Sequence, residues 1–321
     1  MENKSGAVWR HFSFVFIQLR VNKYKPALRY FILRYTFHMS SQKKALCGFL
    51  ILAALLASSL ARSQSNEIDV DVELVLAVDA SRSMQSFEQK IQRDGYVAAF
   101  RQRDVVRAIQ EGVHGKVAIT YVEWAGSTMQ RVIVPWMVVD STESAEKFAS
   151  LLAAPIPTTQ SRTSISGVID FGATLFDDNG FKGLRRVIDV SGDGANNNGR
   201  PVLEARNDAT AKGVTINGLP LMTRGDFYSD WAVEDLDVYY TNCVIGGPGA
   251  FMIPVNSWDQ FPEAVRRKLV LELAGGAFDV HKVDYRSSDM PPISVVQNKR
   301  EYDCLSGERI WQKRMQDWES R

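Results

Sequence analysis

Apolar, β-branched runs alternate along the chain with stretches of helical periodicity. Asp71–Val78 (DVELVLAV) predicts a strand, and Ser86-x-x-Gln89 reads as a capping box for the helix behind it. Phe87, Ile91, Ala98, Val105 and Ile109 follow at helical spacing. Lys116–Trp124 and Arg131–Val139 are divided only by the turn-like Ala125-Gly126-Ser127, which predicts an antiparallel pair. Thr142–Ala153 predicts a helix stopped by Pro155 and Pro157. Thr163 opens and caps the next helix, whose Ile165, Val168, Ile169, Gly172 and Phe176 make one face. Arg185–Ser191 reads as a strand, Pro201 to about Lys212 as a helix, and Val214–Leu219 as another strand.

Beyond the irregular, acid-rich Thr223–Asp237 come Tyr239–Ile245, the flexible Gly246-Gly247-Pro248-Gly249 and a short strand at Phe251–Val255. Ser257-x-x-Gln260 caps a last long helix that ends at Gly275-Gly276. Strands alternating with helices imply an α/β domain over residues 68–276: a doubly wound, mostly parallel sheet with helices on both faces and one antiparallel edge hairpin. Residues 277–321 form a less patterned tail with one short helix near Ile310–Trp318.

The front of the chain belongs to no such pattern. From Met39, Lys43 and Lys44 form a positive segment, Ala45–Leu56 an apolar one, and Ser59-Leu60-Ala61 a small-x-small cleavage signal. Residues 39–61 therefore read as an export signal cleaved after Ala61, with an uncleaved membrane anchor as the alternative. Residues 1–38 are basic and aromatic, and read as an over-extended start or a membrane-surface extension, with translation beginning at Met39 or Met1. The near-neutral total of 38 basic and 37 acidic residues conceals this asymmetry, because from Arg62 onward 29 basic face 36 acidic residues, a net charge of −7. A mildly acidic folded part argues against a nucleic-acid partner. In an exported chain, Cys243 and Cys304 form an even pair and are expected to be bridged.

Candidate chemistry lies where the first strand ends. Asp79-Ala80-Ser81-Arg82-Ser83 aims Asp79, Ser81 and Ser83 at one point if the loop turns sharply, and hard divalent cations want such oxygen donors. The same residues also serve as ordinary caps and turn formers. Joined by Thr163 of SRTSISGVID and Asp193 of RRVIDVSGDG, the pattern resembles the von Willebrand factor A domain and its metal-ion-dependent adhesion site. It departs from that family in Gly192, which separates Ser191 from Asp193 and leaves Asp189 as an alternative last ligand. VIDVSGDGANN and CVIGGPGAF also resemble an exported bacterial subgroup of that superfamily.

The resemblance implies a divalent cation, Mg²⁺ first and Mn²⁺ or Ca²⁺ next. The Ser and Thr hydroxyls hold it directly, and the carboxylates hold it partly through water. It also implies an open coordination position for an Asp or Glu of a protein partner. The function expected is an exported, periplasmic or extracellular binding module, with membrane contact only through an uncleaved signal. The alternatives are a metal-assisted hydrolase and a structural envelope protein with a stabilising metal site.

Other features point away from catalysis. Beyond the signal only His114 and His281 remain, neither in a metal-binding spacing, and there is no Gly-x-Ser-x-Gly elbow or phosphate loop. Trp124, Trp136 and Trp231 read as core or interface packing, Glu123 as a surface or rim carboxylate, and Arg266-Arg267-Lys268 as the solvated face of the last helix.

Overall fold

The computed structural model describes residues 67–153, 160–223, 233–274, 294–295 and 302–320. The expected extension and export signal (1–61), Trp231 and His281 lie outside the described residues.

The expected sheet is present. Seven strands run β1 (Ile68–Asp79), β2 (Val117–Trp124), β3 (Gln130–Val139), β4 (Phe181–Gly192), β5 (Val214–Pro220), β6 (Phe251–Met252) and β7 (Ser294–Val295). Their spatial order is β3-β2-β1-β4-β5-β6-β7. The pairings from β2 through β6 are parallel, and β3 and β7 close the two edges antiparallel. β1 pairs with both β2 and β4, so the chain reverses its winding direction there, and loops leaving the carboxyl ends of β1 and β4 splay apart into a crevice.

Successive residues of β1 feed opposite layers. Val72, Leu74, Leu76 and Val78 pack with α1 (Ser86–Phe100), α2 (Arg103–Gln110), α3 (Thr142–Leu152) and α7 (Phe261–Leu273). Val75 and Ala77 pack with α4 (Ile165–Thr174), α5 (Val202–Ala211) and α6 (Leu236–Tyr239) on the other face. Burial on both faces explains why β1 reads as a hydrophobic run. A single turn of π-helix, Tyr240–Val244, continues α6 and carries Cys243, which is bonded to Cys304 of the tail as expected. The tail helix α8 (Ser306–Glu319) begins four residues before the expected Ile310.

Several local expectations are corrected. Glu88, not Gln89, closes the start of α1: its carboxylate accepts from the Gln85 backbone N–H at 2.7 Å, while Gln89 is buried. Phe87, expected on the apolar face, is 54% exposed. Ser257 precedes a 3₁₀ turn, Trp258–Gln260, that leads into α7. Glu123 is not a rim carboxylate: it is buried and receives the Arg93 guanidinium, with Nε at 3.0 Å.

Lys268 is not solvated either, and is 1% exposed. Its Nζ lies 2.7 Å from Asp189 Oδ1 and also bonds Glu272, which takes Asn217 Nδ2 at 2.8 Å. A charge triplet inside the sheet–helix layer is tolerable only because each member finds a partner. Burial, with Asp189 adding repulsion, pushes the Glu272 carboxyl up to about 7, and burial also raises Asp189.

Candidate metal centre

The crevice gathers the expected donors from three loops. Asp79 is the last residue of β1, and its Oδ1 accepts the Ser81 backbone N–H at 2.7 Å, a short-range turn that folds the loop back over the strand end. Ser81 Oγ and Ser83 Oγ lie 2.7 Å apart, and Ser83 Oγ donates to Asp193 Oδ1 at 2.8 Å. Four of the five expected ligands are thereby joined in one chain of contacts. The fifth, Thr163, reaches the third loop: a Cβ built on Gly194 would lie 3.8 Å from Thr163 Oγ1. Asp79, Ser81, Thr163 and Asp193 are buried, whereas Ser83 faces solvent.

Asp189, the alternative last ligand, points into the sheet–helix layer at Lys268, while Asp193 bonds Ser83. The inserted Gly192 is what carries the chain past the floor of the site. A Cβ there would sit 3.0 Å from Asp79 Oδ2, 3.1 Å from Trp124 Cζ2 and 3.1 Å from the Tyr240 hydroxyl.

Thr163 does not cap α4, contrary to expectation. Ser164 does, its Oγ accepting the Gly167 backbone N–H at 3.1 Å. Moving the cap one residue on leaves the Thr163 hydroxyl outside the helix's own bonding. The Thr163 backbone is held from both sides by Asn197, whose Oδ1 accepts Thr163 N–H at 3.0 Å and whose N–H donates to Thr163 O at 2.9 Å. Asn196 Oδ1 accepts from Ser166 N at 2.9 Å, and Asn198 O from Ser164 Oγ at 2.7 Å. In sequence these asparagines read only as a turn. Their run, one residue beyond Asp193-Gly194, was the available signal, because Asn side chains carry both a donor and an acceptor for bracing loops.

The electrostatics of the site are those of a place short of positive charge. Asp79 Oδ2 is buried and has no hydrogen-bond partner. Burial, then repulsion from Asp193, pushes the Asp79 carboxyl up to about 8. Two carboxylates, two serine hydroxyls and a nearby threonine hydroxyl form an all-oxygen set. Among the described residues no three His, Cys, Asp or Glu side chains converge on one point. The orphaned oxygen and the hard donors fit a hard divalent cation, which would satisfy Oδ2 and offset the repulsion. With few direct carboxylates such an ion would keep net positive charge toward the open side, where Ser83 is exposed.

Residues 69–277 match the family described as Protein of unknown function (DUF1194). No curated protein matches the chain. Among solved structures, proximal thread matrix protein 1 from the mussel byssus, with a zinc-occupied MIDAS motif, is 16% identical at a TM-score of 0.46, over 65% of this chain and 49% of that one. The pilus adhesin SpaC from Lactobacillus rhamnosus GG is 14% identical at a TM-score of 0.46, over 65% of this chain and 31% of that one. A von Willebrand factor type A protein from Catenulispora acidiphila is 13% identical at a TM-score of 0.42, over 64% of this chain and 43% of that one. The chain thus spans about half or less of each of these structures.

Proposed function

This chain belongs to the DUF1194 family and has a von Willebrand factor A-like fold, and from the site that fold builds we propose an exported, cation-dependent protein-binding module. Asp79, Ser81, Ser83, Thr163 and Asp193 hold the cation, Mg²⁺ in preference to Mn²⁺ or Ca²⁺. A partner's Asp or Glu approaches from the side of Ser83. The cation supplies a Lewis-acidic positive centre; the chain's own part is to orient the oxygens and keep water from Asp79.

One observation carries this reading: Asp79 Oδ2 is buried and unpartnered beside an Oγ–Oγ–carboxylate chain drawn from separate loops. A fold needing only caps and turns has no use for an orphaned carboxylate oxygen there. Binding is favoured over hydrolysis because His114 lies at the opposite end of β1, where its backbone N–H bonds Asp71 Oδ1 at 2.9 Å. Export is supported by the Cys243–Cys304 bridge, which belongs in an oxidising compartment.

The test is a melting curve in chelator and again in Mg²⁺ or Mn²⁺, with Asp79→Ala alongside. An ion at one hundred times its Kd stabilises the native state by about 2.7 kcal/mol. The wild-type transition should rise accordingly and the variant's should not. An acidic peptide should then bind only with metal present, and more weakly to Thr163→Ala. No shift at millimolar metal would defeat the proposal.

A further inference from the structure

The tail helix α8 touches two of the loops that carry the candidate ligands. Its start is anchored by Cys304 to Cys243 in the π turn. Gly307 lies so close to the third loop that a Cβ there would come within 2.2 Å of Asn196 O. Next to it, Glu308 Oε1 accepts from Asn196 Nδ2 at 2.8 Å. One turn on, the Arg162 guanidinium lies over the Trp311 ring, 4.1 Å from its centroid.

These contacts fall immediately beside the site. Arg162 precedes Thr163 and holds a left-handed φ of 78°, a conformation disfavoured for a side chain with Cβ. Asn196 follows Asp193 by three residues, and its neighbour Asn197 clasps the Thr163 backbone. The anchor leads back to the same place, since Tyr239 Oη accepts from Asn196 N at 3.2 Å. Of the residues of α8, Gly307 alone is buried. A lone 14-residue helix is marginal in water, so the disulfide and these contacts contribute to its placement.

We propose that α8 is a strap that sets the spacing of Thr163 from Asp193, with Glu308 and Trp311 as positioning residues for the cation site and Cys243–Cys304 as its anchor. The inference rests on the cation reading of that site. The two loops are already bonded to each other through Asn196, Asn197 and Asn198, and an outer support on both further restricts the one mutual spacing at which ligands drawn from separate loops bind an ion. Removing such supports typically weakens metal affinity by about 10- to 100-fold.

The experiment uses the full chain as wild type, Trp311→Ala/Glu308→Ala and Glu308→Gln. It combines Mn²⁺ titration with amide hydrogen exchange in chelator. The double variant should bind Mn²⁺ at least about tenfold more weakly and exchange faster at residues 160–166 and 193–199, with its melting transition in chelator nearly unmoved. Glu308→Gln should bind as wild type, because its amide oxygen still accepts from Asn196. A double variant with wild-type Mn²⁺ affinity and unchanged exchange in both loops overturns the strap. If the wild type binds no Mn²⁺, the cation reading fails by itself and exchange decides: faster loops in the double variant keep α8 as a strap on those loops, and unchanged loops overturn it.

Discussion

Replacing Asp79 by Asn should stabilise the metal-free protein and abolish its response to metal. The folded carboxyl sits at about 8 against an ordinary 3.8, so between those values the native state holds a proton that the unfolded chain has lost. The stability associated with protonated Asp79 is complete below about pH 3.8, declines as pH rises, and is gone above about pH 8. At about 1.4 kcal/mol per pH unit the cost at pH 7 is about 4 kcal/mol. An amide takes up no proton and escapes that cost while keeping an oxygen for the Ser81 N–H.

Urea unfolding in chelator at pH 5, 6, 7 and 8 measures the difference. The advantage of Asp79→Asn should widen by roughly 1.4 kcal/mol per unit, since other titrating groups cancel between the two proteins. Mg²⁺ should stabilise the wild type alone, narrowing the difference by about 2.7 kcal/mol at one hundred times its Kd and cancelling it near a thousand times. An Asp79→Asn protein no more stable than wild type in chelator at pH 7, or a difference flat with pH, would refute the reasoning that an uncompensated carboxylate sits in this crevice.

Three further outcomes are expected. Gly192→Ala should cost about 1–3 kcal/mol in chemical denaturation and weaken cation binding, because its methyl meets Asp79, Trp124 and Tyr240 together. Lys268→Met should destabilise by about 3–5 kcal/mol near neutral pH by stranding Asp189 and Glu272. The folded Glu272 carboxyl lies near 7 with Lys268 present and rises further without it. Its share of that loss should therefore grow as pH climbs above about 7 and be small at pH 5, which unfolding at about pH 5 and pH 8 would reveal. Ser164→Ala should lower the melting transition through a lost cap worth about 1 kcal/mol, whereas Thr163→Ala should leave the metal-free transition nearly unchanged and reduce metal-dependent binding.

Local rules carried much of the fold and the outline of the site. The alternation of β-branched runs with helical periodicity is enough for a wound sheet, because backbone pairing and burial act alike in any sequence of that pattern. Asp79, Ser81 and Ser83 stood out because the end of the first strand in such a sheet points at the crevice, whereas Thr163 and Asp193 joined them only through the resemblance to the von Willebrand factor A domain. The two cysteines were legible as a pair by count alone.

Contacts between residues distant in sequence were not legible, and they reversed several local readings. Lys268 sits in a charged helical run, yet Asp189 and Glu272 on its inner side draw it into the layer, an arrangement stable only when all three meet. Glu123 looked like a rim carboxylate until Arg93, thirty residues away, reached it. Helix periodicity does not say which of two adjacent hydroxyls caps α4; backbone direction at Ser164 decides it and leaves Thr163 to the crevice. Asp189, inside the strand, meets Lys268, while Asp193 past the strand end bonds Ser83. The sequence by itself determined the sheet, its winding and the inventory of oxygen donors, because these follow from short-range periodicity. Only the tertiary structure decided which charges are buried and that α8 braces two site loops, because desolvation and pairing depend on neighbours that the chain brings together from afar.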